Sequence, residues 1–425
     1  MKWPDEGSST SDGAIDDVRD FYDRYPYPPP VVSLEEYRER WRDPQRRRAD
    51  YHLFWPASPY REDHSILVAG CGTSQAAKHA LRWPLAQITA IDFSATSVRS
   101  TNELKKKYDL TNLEIRQLPI ERAGDLGASF DQIVCTGVLH HLVDPDAGLR
   151  ALHNVLKCDG TMHLMVYALY GRCGIYMLQE ACRRIGIRAA DEEIPDLIRA
   201  LSQLPSGHPL ENLLRQAPDF RSEAALADAL LHPQDRAYSV PQLFDFLDRG
   251  SLKFGRWAAQ APYCSRCGIL ARIPQAQRLQ QLSLTDQYVT AELLRGTMIR
   301  HSVVAYRNDS AVRQEIRFTG DAWLGYIPIR MPDTVCLEER MPPGVAAALI
   351  NRTHTFKDLV VTIDADEKRL FDAIDGTRSI GTIAQTTVAP GKTSPSDRAR
   401  SFFEKLWWYD QIVFDASQTA GCASG

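Results

Sequence analysis

Long hydrophobic runs are missing from this sequence: no stretch approaches the roughly 18 apolar residues of a membrane-spanning helix. The first residues, Met1-Lys2-Trp3-Pro4-Asp5-Glu6, are polar and acidic, so no secretory signal core is expected there. A dominant charge is missing as well. With 50 basic and 54 acidic residues the formal net charge is −4, and no global field draws the chain to nucleic acid or to an anionic bilayer. Cysteine is sparse, 9 in 425 residues, which excludes a disulfide framework and fits a reducing cytoplasm. One CxxC occurs, Cys264-Ser265-Arg266-Cys267, with no second pair near it. A structural zinc site takes about four ligands, so no metal centre is expected. Internal repeats are absent. What is present is ordinary globular composition, 44% hydrophobic and 24% charged, in a length that suits two or three domains.

The chain is organised around residues 65–92. An apolar run of strand type, Ser65-Ile66-Leu67-Val68-Ala69, leads straight into Gly70-Cys71-Gly72-Thr73-Ser74. Ala76, Ala77, Ala80 and Leu81 then share one helical face. A second apolar strand, Ile88-Thr89-Ala90-Ile91, ends in Asp92. Strand, glycine turn, helix, strand, acid is the order of a nucleotide-binding βαβ unit, and Gly72 precedes Asp92 by the spacing of about 20 residues such a unit wants. The glycines admit a ligand close to the backbone, and the acid can hold a ribose diol.

Further on, strands alternate with helix-length segments: 113–116, 130–135 and 161–167 as strands, 94–108 and 146–156 as helices, with Cys158-Asp159-Gly160 as a turn. That rhythm predicts a parallel, doubly wound α/β sheet whose ligand lies beyond the carboxyl ends of the strands. Residues 70–75, Asp92, Leu118, 136–141 and Tyr167 all fall on that edge. Cys71 and Cys135 read as small buried hydrophobes.

Around this core we expect an N-terminal arm or lid over 1–60, a ligand-binding α/β domain over 61–170, a helical cap and substrate region over 171–295, and an α+β domain with a winged-helix-like end over 296–425. The arm carries Tyr22, Arg24, Tyr25 and Tyr27 ahead of Pro28-Pro29-Pro30, and either packs on the surface or covers the ligand. Six arginines between Arg38 and Arg48 read as a solvated helical face beside Glu35, Glu36 and Glu39. Trp323 to Ile329 reads as a strand. The later C-terminal helices offer Arg398, Arg400 and Lys405 as bases against Asp397 and Glu404, which is thin for a phosphate-gripping helix.

Ile66-Leu67-Val68-Ala69-Gly70-Cys71-Gly72-Thr73-Ser74 resembles the first motif of class I S-adenosylmethionine-dependent methyltransferases. Ile91-Asp92-Phe93-Ser94 resembles their ribose-binding acid, and Val138-Leu139-His140-His141-Leu142, after Phe130-Asp131, resembles the strand-four motif of the ubiquinone-biosynthesis-type branch. The resemblance covers about residues 60–170. It implies a Rossmann-like fold with S-adenosylmethionine as cofactor. Gly70 and Gly72 would lie under the methionine part, with Cys71, Thr73 and Gln75 in the same loop. Asp92 would hold the ribose, Phe93 would lie on the adenine, Leu118 would face its edge through the backbone, and Thr136 and Gly137 would line the reactive methyl. Val68 and Ser74 depart from the family, which often has an acid and a glycine there; Gln75 or Arg24 would compensate, and Tyr25 of the arm belongs with them to the expected cofactor-binding set. The block 232–268 and the strands after it are similar to a region of some bacterial protein-lysine methyltransferases. Residues 364–383 resemble the winged-helix peptide-binding domain of pyrroloquinoline-quinone biosynthesis chaperones.

These resemblances imply in-line methyl transfer to a nucleophile on a protein, a peptide or a small molecule, in the cytoplasm, with no membrane partner and with oligomerisation open. His140, His141 and Tyr22 are the candidate catalytic residues, because a nucleophile that must lose a proton is helped by a base. The competing expectations are a non-catalytic protein that kept the cofactor fold, supported by Val68 and Ser74, and a winged-helix modifier of nucleic acid, which the sparse basic face disfavours.

Overall fold

The structure is a computed structural model and describes residues 21, 24, 29–187, 193–211, 223–311, 315–387 and 394–419. Tyr22, Tyr25 and Tyr27 of the expected arm lie outside the described residues. The chain divides into two compact units. One takes Met1–Leu34, His64–Leu252 and Gly296–His301, the other Glu35–Asp63, Lys253–Arg295 and Ser302–Gly425. Helices α1 (Glu35–Trp41) and α2 (Pro44–Phe54) belong to the second unit.

In the first unit β1 (Ser65–Ala69), α3 (Gln75–Arg82), β2 (Gln87–Asp92), α4 (Ala95–Lys107), β3 (Leu113–Gln117), β4 (Phe130–Thr136), α5 (Pro145–Asn154) and β5 (Leu156–Tyr167) follow in turn. β1 pairs in parallel with β2 and with β4, β2 with β3, and β4 with β5. The order of these strands is β3-β2-β1-β4-β5. The winding reverses between β1 and β4, and a ligand of such a sheet sits outside the carboxyl ends at that switch point. Ile66, Leu67, Val68, Ala69, Ile133 and Cys135 are fully buried, as strands covered by helices on both faces must be. The buried face of α3 is built from Ala76, Ala77 and Ala80, small enough for the helix to lie close to the sheet. The doubly wound α/β architecture expected from the sequence is the one observed.

One turn is corrected. Lys157 to Gly160 continue β5 rather than break it: Phe130 pairs with Leu156, then Gln132 with Thr161. The surplus residues on β5 are absorbed as an irregularity in the ladder, which a turn-like Asp-Gly pair does not reveal.

The helical block packs in the same unit. It comprises α6 (Cys173–Ile185), α7 (Glu193–Leu201), α8 (Glu223–Leu231) and α9 (Val240–Arg249). Ile175, Leu178, Leu197, Leu226 and Leu230 form its apolar centre. The chain then runs through β6 (Leu252–Trp257), α10 (Ala276–Gln280), α11 (Leu284–Arg295) and β7 (Arg300–Arg307).

The second unit ends with β8 (Ile327–Arg330), β9 (Thr334–Leu337), β10 (Ala347–Asn351), β11 (Val360–Ile363), α12 (Ala365–Asp372), α13 (Ile380–Thr387), α14 (Pro395–Trp408) and β12 (Ile412–Asp415). β11-β10-β9 form a small antiparallel sheet and β12 pairs with β8. Phe402, Phe403, Phe414 and Trp323 centre its core. Trp323 itself sits in a short 3-10 turn, with the strand beginning only at Ile327, because its indole N–H bonds back to Gly320 O. The arginine run splits at Pro44. Arg38 and Arg42 pair on the surface with Glu35 and Glu39, whereas Arg47 and Arg48, 14% and 20% exposed, turn inward to Glu62 and Asp415. No helix of the described residues is long and apolar enough to cross a membrane.

Buried imidazoles set an acid limit on this fold. Burial lowers His163 on β5 to about 4, with Arg82 and Arg300 adding to the effect. His52 on α2 is also lowered to about 4 by burial, against the pull of Asp415. An unfolded imidazole binds its proton near pH 6.5. Between pH 6.5 and 4 the unfolded chain therefore holds more protons, and stability falls as pH falls. We expect the melting temperature to decline steadily across that window in scanning calorimetry, by a free energy on the order of 3 kcal/mol for His163 alone by pH 4. A flat profile from pH 6.5 to 4 would contradict neutral burial.

Candidate active site

The glycine turn is held by the second strand. The N–H groups of Gly70 and Cys71 both donate to Ile91 O, at 2.9 and 3.0 Å. Gly70 and Gly72 take φ of +67° and +53°, a region other residues rarely occupy. At Gly70 a second constraint applies: a Cβ would stand 2.4 Å from Val138 Cγ2, so the first motif and the strand-four motif interlock there. Gly70→Ala is expected to cost about 1–3 kcal/mol in overpacking and left-handed strain. Adding Val138→Ala should return part of that loss. A double-mutant cycle by chemical denaturation that gives strictly additive effects would remove the steric reading.

Asp92 ends β2 and is 7% exposed. Its Oδ2 accepts the Gly72 N–H at 2.8 Å and its Oδ1 the Ser94 N–H at 3.0 Å. Ser94 in turn caps α4 by accepting the Ser97 N–H. The carboxylate therefore fixes the glycine turn and the start of the next helix together. Thr101 Oγ1 donates to Gly72 O at 2.8 Å and completes the brace. Phe93 is half-buried beside Asp92, and Gln117 Nε2 donates to its carbonyl. Leu118 lies at the end of β3, where its own N–H is engaged by Asp92 O at 2.9 Å.

On the other side of the switch point Gln75 Nε2 donates to Thr136 Oγ1 at 2.5 Å, joining the start of α3 to the end of β4. Gly137, at φ +80°, donates its N–H to Met165 O. Thr73 is fully buried, and its Oγ1 lies 3.4 Å from Pro29 O, so the proline run itself lies against the glycine turn. Leu34 N and Lys107 Nζ anchor the segment further, to Tyr108 Oη and Val32 O. The Cys71 thiol is buried and its pKa is raised by burial and then by Asp92, so it is an inert packing group. Arg24 is exposed.

His140 and His141 follow β4 in a 3-10 turn and are 1% and 3% exposed. They meet Tyr167 from the same sheet edge, and side chains from beyond β5. The His140 ring stands 3.9 Å from the Tyr167 ring, and the His141 ring 4.0 Å from that of His232. The Arg172 guanidinium lies 3.4 Å over Tyr167 and reaches Asp235 at 3.3 Å. Tyr167 Oη donates to Asp228 at 3.2 Å. Burial first, then His141, Arg172 and His232, push His140 well below the ordinary imidazole range, so the ring is neutral near pH 7. His232-Pro233-Gln234-Asp235 lies in an irregular polar stretch between α8 and α9. A backbone ladder brings it here: Tyr238 N–H donates to Tyr167 O and Arg236 N–H to His140 O.

The residues of the sheet edge fit a sulfonium nucleoside. A buried carboxylate ends β2 beside the glycine turn, and the two turn glycines leave the backbone bare. Residues 67–162 match the profile of the methyltransferase-domain family. An uncharacterized protein of Synechococcus sp. is 32% identical over 299 residues, 67% of this chain and 69% of its own length. The ubiquinone biosynthesis O-methyltransferase of Xanthomonas axonopodis pv. citri is 32% identical over 103 residues, 23% of this chain and 41% of that protein. Among solved structures, PKMT2 from Rickettsia typhi superposes with a TM-score of 0.62 at 16% identity, over 92% of this chain and 77% of that one. Its complex with AdoHcy gives 0.60 at 15%, over 88% and 76%. Over residues 67–162, the stretch whose motifs resemble S-adenosylmethionine-dependent enzymes, the chain carries a domain of the methyltransferase family.

Proposed function

We propose that this enzyme transfers the methyl group to a nucleophile on a protein or peptide side chain. The observation that carries the cofactor half is the brace of Gly72, Asp92 and Ser94 at the switch point. The acceptor half is supported by the second compact unit, which cofactor binding does not require, and by the sequence likenesses of 232–268 and 364–383 to protein- and peptide-directed domains. In this reading Asp92 holds the ribose hydroxyls, Gly70 and Gly72 underlie the methionine, and Phe93 covers the adenine. Cys71, Thr73 and Gln75 shape the turn. Because the Leu118 N–H is engaged, Leu118 offers the adenine its carbonyl or side chain. Thr136 and Gly137 floor the methyl slot. The bound cofactor supplies an electrophile already activated as a sulfonium, so the protein's part is to place the acceptor in line, about 3 Å away, and to exclude water. The scattered cysteines fit a cytoplasmic enzyme.

Calorimetric titration with S-adenosylmethionine should give one binding event per chain, and lysate incubated with methyl-labelled cofactor should yield a labelled protein band. Label found solely in small metabolites would move the acceptor to that class. No binding at millimolar ligand would end the enzymatic reading.

A further inference from the structure

The buried cluster beyond β4 and β5 contains two overlapping trios whose ligating atoms all lie within 4.8 Å: His140, His141 and Asp235, and His141, Asp228 and His232. Hydrogen bonding decides between them. One peptide group, that of Gln234, touches two of the rings. Its carbonyl is 2.7 Å from His141 Nδ1, which must therefore carry a proton and donate. With Nδ1 donating, the ring is left to ligate through Nε2, the arrangement that commonly orients a metal-bound imidazole. The Gln234 N–H instead donates to His232 Nδ1 at 2.9 Å. That nitrogen is the acceptor, so the neutral ring carries its proton on Nε2 and has no lone pair left to ligate. The second trio loses a ligand.

In the first trio both His140 nitrogens are buried without a hydrogen-bond partner, and so is Asp235 Oδ1. Asp235 Oδ2 is held by Gln179 Nε2 at 3.0 Å and by Arg172 Nη2 at 3.3 Å, which fixes the carboxylate and leaves Oδ1 to ligate. The Arg236 N–H on His140 O, at 3.1 Å, locks the loop bearing Asp235 to the turn bearing the histidines. Leaving such polar atoms buried and unpaired is costly, and a cation removes the cost.

We propose that His140, His141 and Asp235 form a divalent-cation site of zinc type. Two imidazoles and one carboxylate suit zinc, and three protein ligands leave a position open for a further oxygen donor. His232 and Asp228 stand beside the site without ligating. The assignment does not depend on the identity of the acceptor.

The test titrates zinc chloride into chelator-stripped full-length protein by calorimetry, with metal content measured by mass spectrometry. One equivalent is expected. His140→Ala and Asp235→Asn should each weaken it by about 10–100-fold or more, and His232→Gln should leave it within a few-fold. S-adenosylhomocysteine binding and circular dichroism on every sample report folding and the cofactor site separately from the metal. His140→Gln serves if the alanine variant does not fold. No stoichiometric zinc overturns the proposal. So does zinc retained by either His140→Ala or Asp235→Asn, which would place it elsewhere, the Cys264/Cys267 pair included. A loss in His232→Gln as large as in His140→Ala overturns the ligand assignment in favour of the second trio.

Discussion

Asp410→Ala is expected to lower the unfolding free energy of the second unit by about 3–5 kcal/mol, the usual cost of breaking a buried ion pair by removing one partner. Asp410 is 5% exposed and lies just before β12 at φ +53°. Its Oδ1 accepts the Gln260 N–H at 3.0 Å and faces Arg256 Nη2 at 3.3 Å. Its Oδ2 accepts the Ala261 N–H at 2.9 Å and faces His354 Nε2 at 3.3 Å. Alanine would leave a nearly buried guanidinium, 10% exposed, without its counter-charge and orphan two backbone donors. Asp410→Asn keeps one acceptor oxygen and a residue that tolerates positive φ, so it should cost less. In denaturant the two units need not unfold together. S-adenosylhomocysteine raises only the transition of the unit that binds it, which identifies the other. A cost below about 1 kcal/mol would show that Asp410 is not the tie between residues 256–261 and the end of α14.

How much of this was visible in the sequence depends on how local each signal is. The βαβ unit was legible because apolar strand, glycine turn, alanine-faced helix and terminal acid lie within residues 65–92, and each is a short-range pattern. The strand-four motif was legible for the same reason. The interlock of Gly70 with Val138 was not, since neither residue alone announces the 2.4 Å approach. The place of His232 and Asp235 was not legible either, because nothing in a period of 3.6 or 2 says that a loop beyond the helical block will return to the ends of β4 and β5. A histidine and an acid in one short loop, in a chain with paired histidines after strand four, is the only sequence signal that pointed there. The inward turn of Arg47 and Arg48 was hidden too: their partners, Glu62 and Asp415, are fixed by tertiary packing.

Asp92→Ala is expected to raise the dissociation constant for S-adenosylhomocysteine by about 2–4 kcal/mol, the worth of one or two charge-assisted hydrogen bonds, or about 30- to 900-fold. Two causes contribute and can be separated. Alanine removes the brace on Gly72 and Ser94, which loosens the turn for any ligand, and it removes an acceptor for the ribose hydroxyls. Ser94→Ala disturbs only the helix cap, at about 1 kcal/mol of stability, and should scarcely move the dissociation constant. A 2′-deoxy analogue of the ligand isolates the direct contact. The natural protein should bind it more weakly than the parent compound, whereas Asp92→Ala should bind both alike, because the hydroxyl then has no carboxylate to lose. Equal discrimination in both proteins would confine Asp92 to bracing the turn, and an unchanged dissociation constant in Asp92→Ala would take the carboxylate out of the cofactor site altogether.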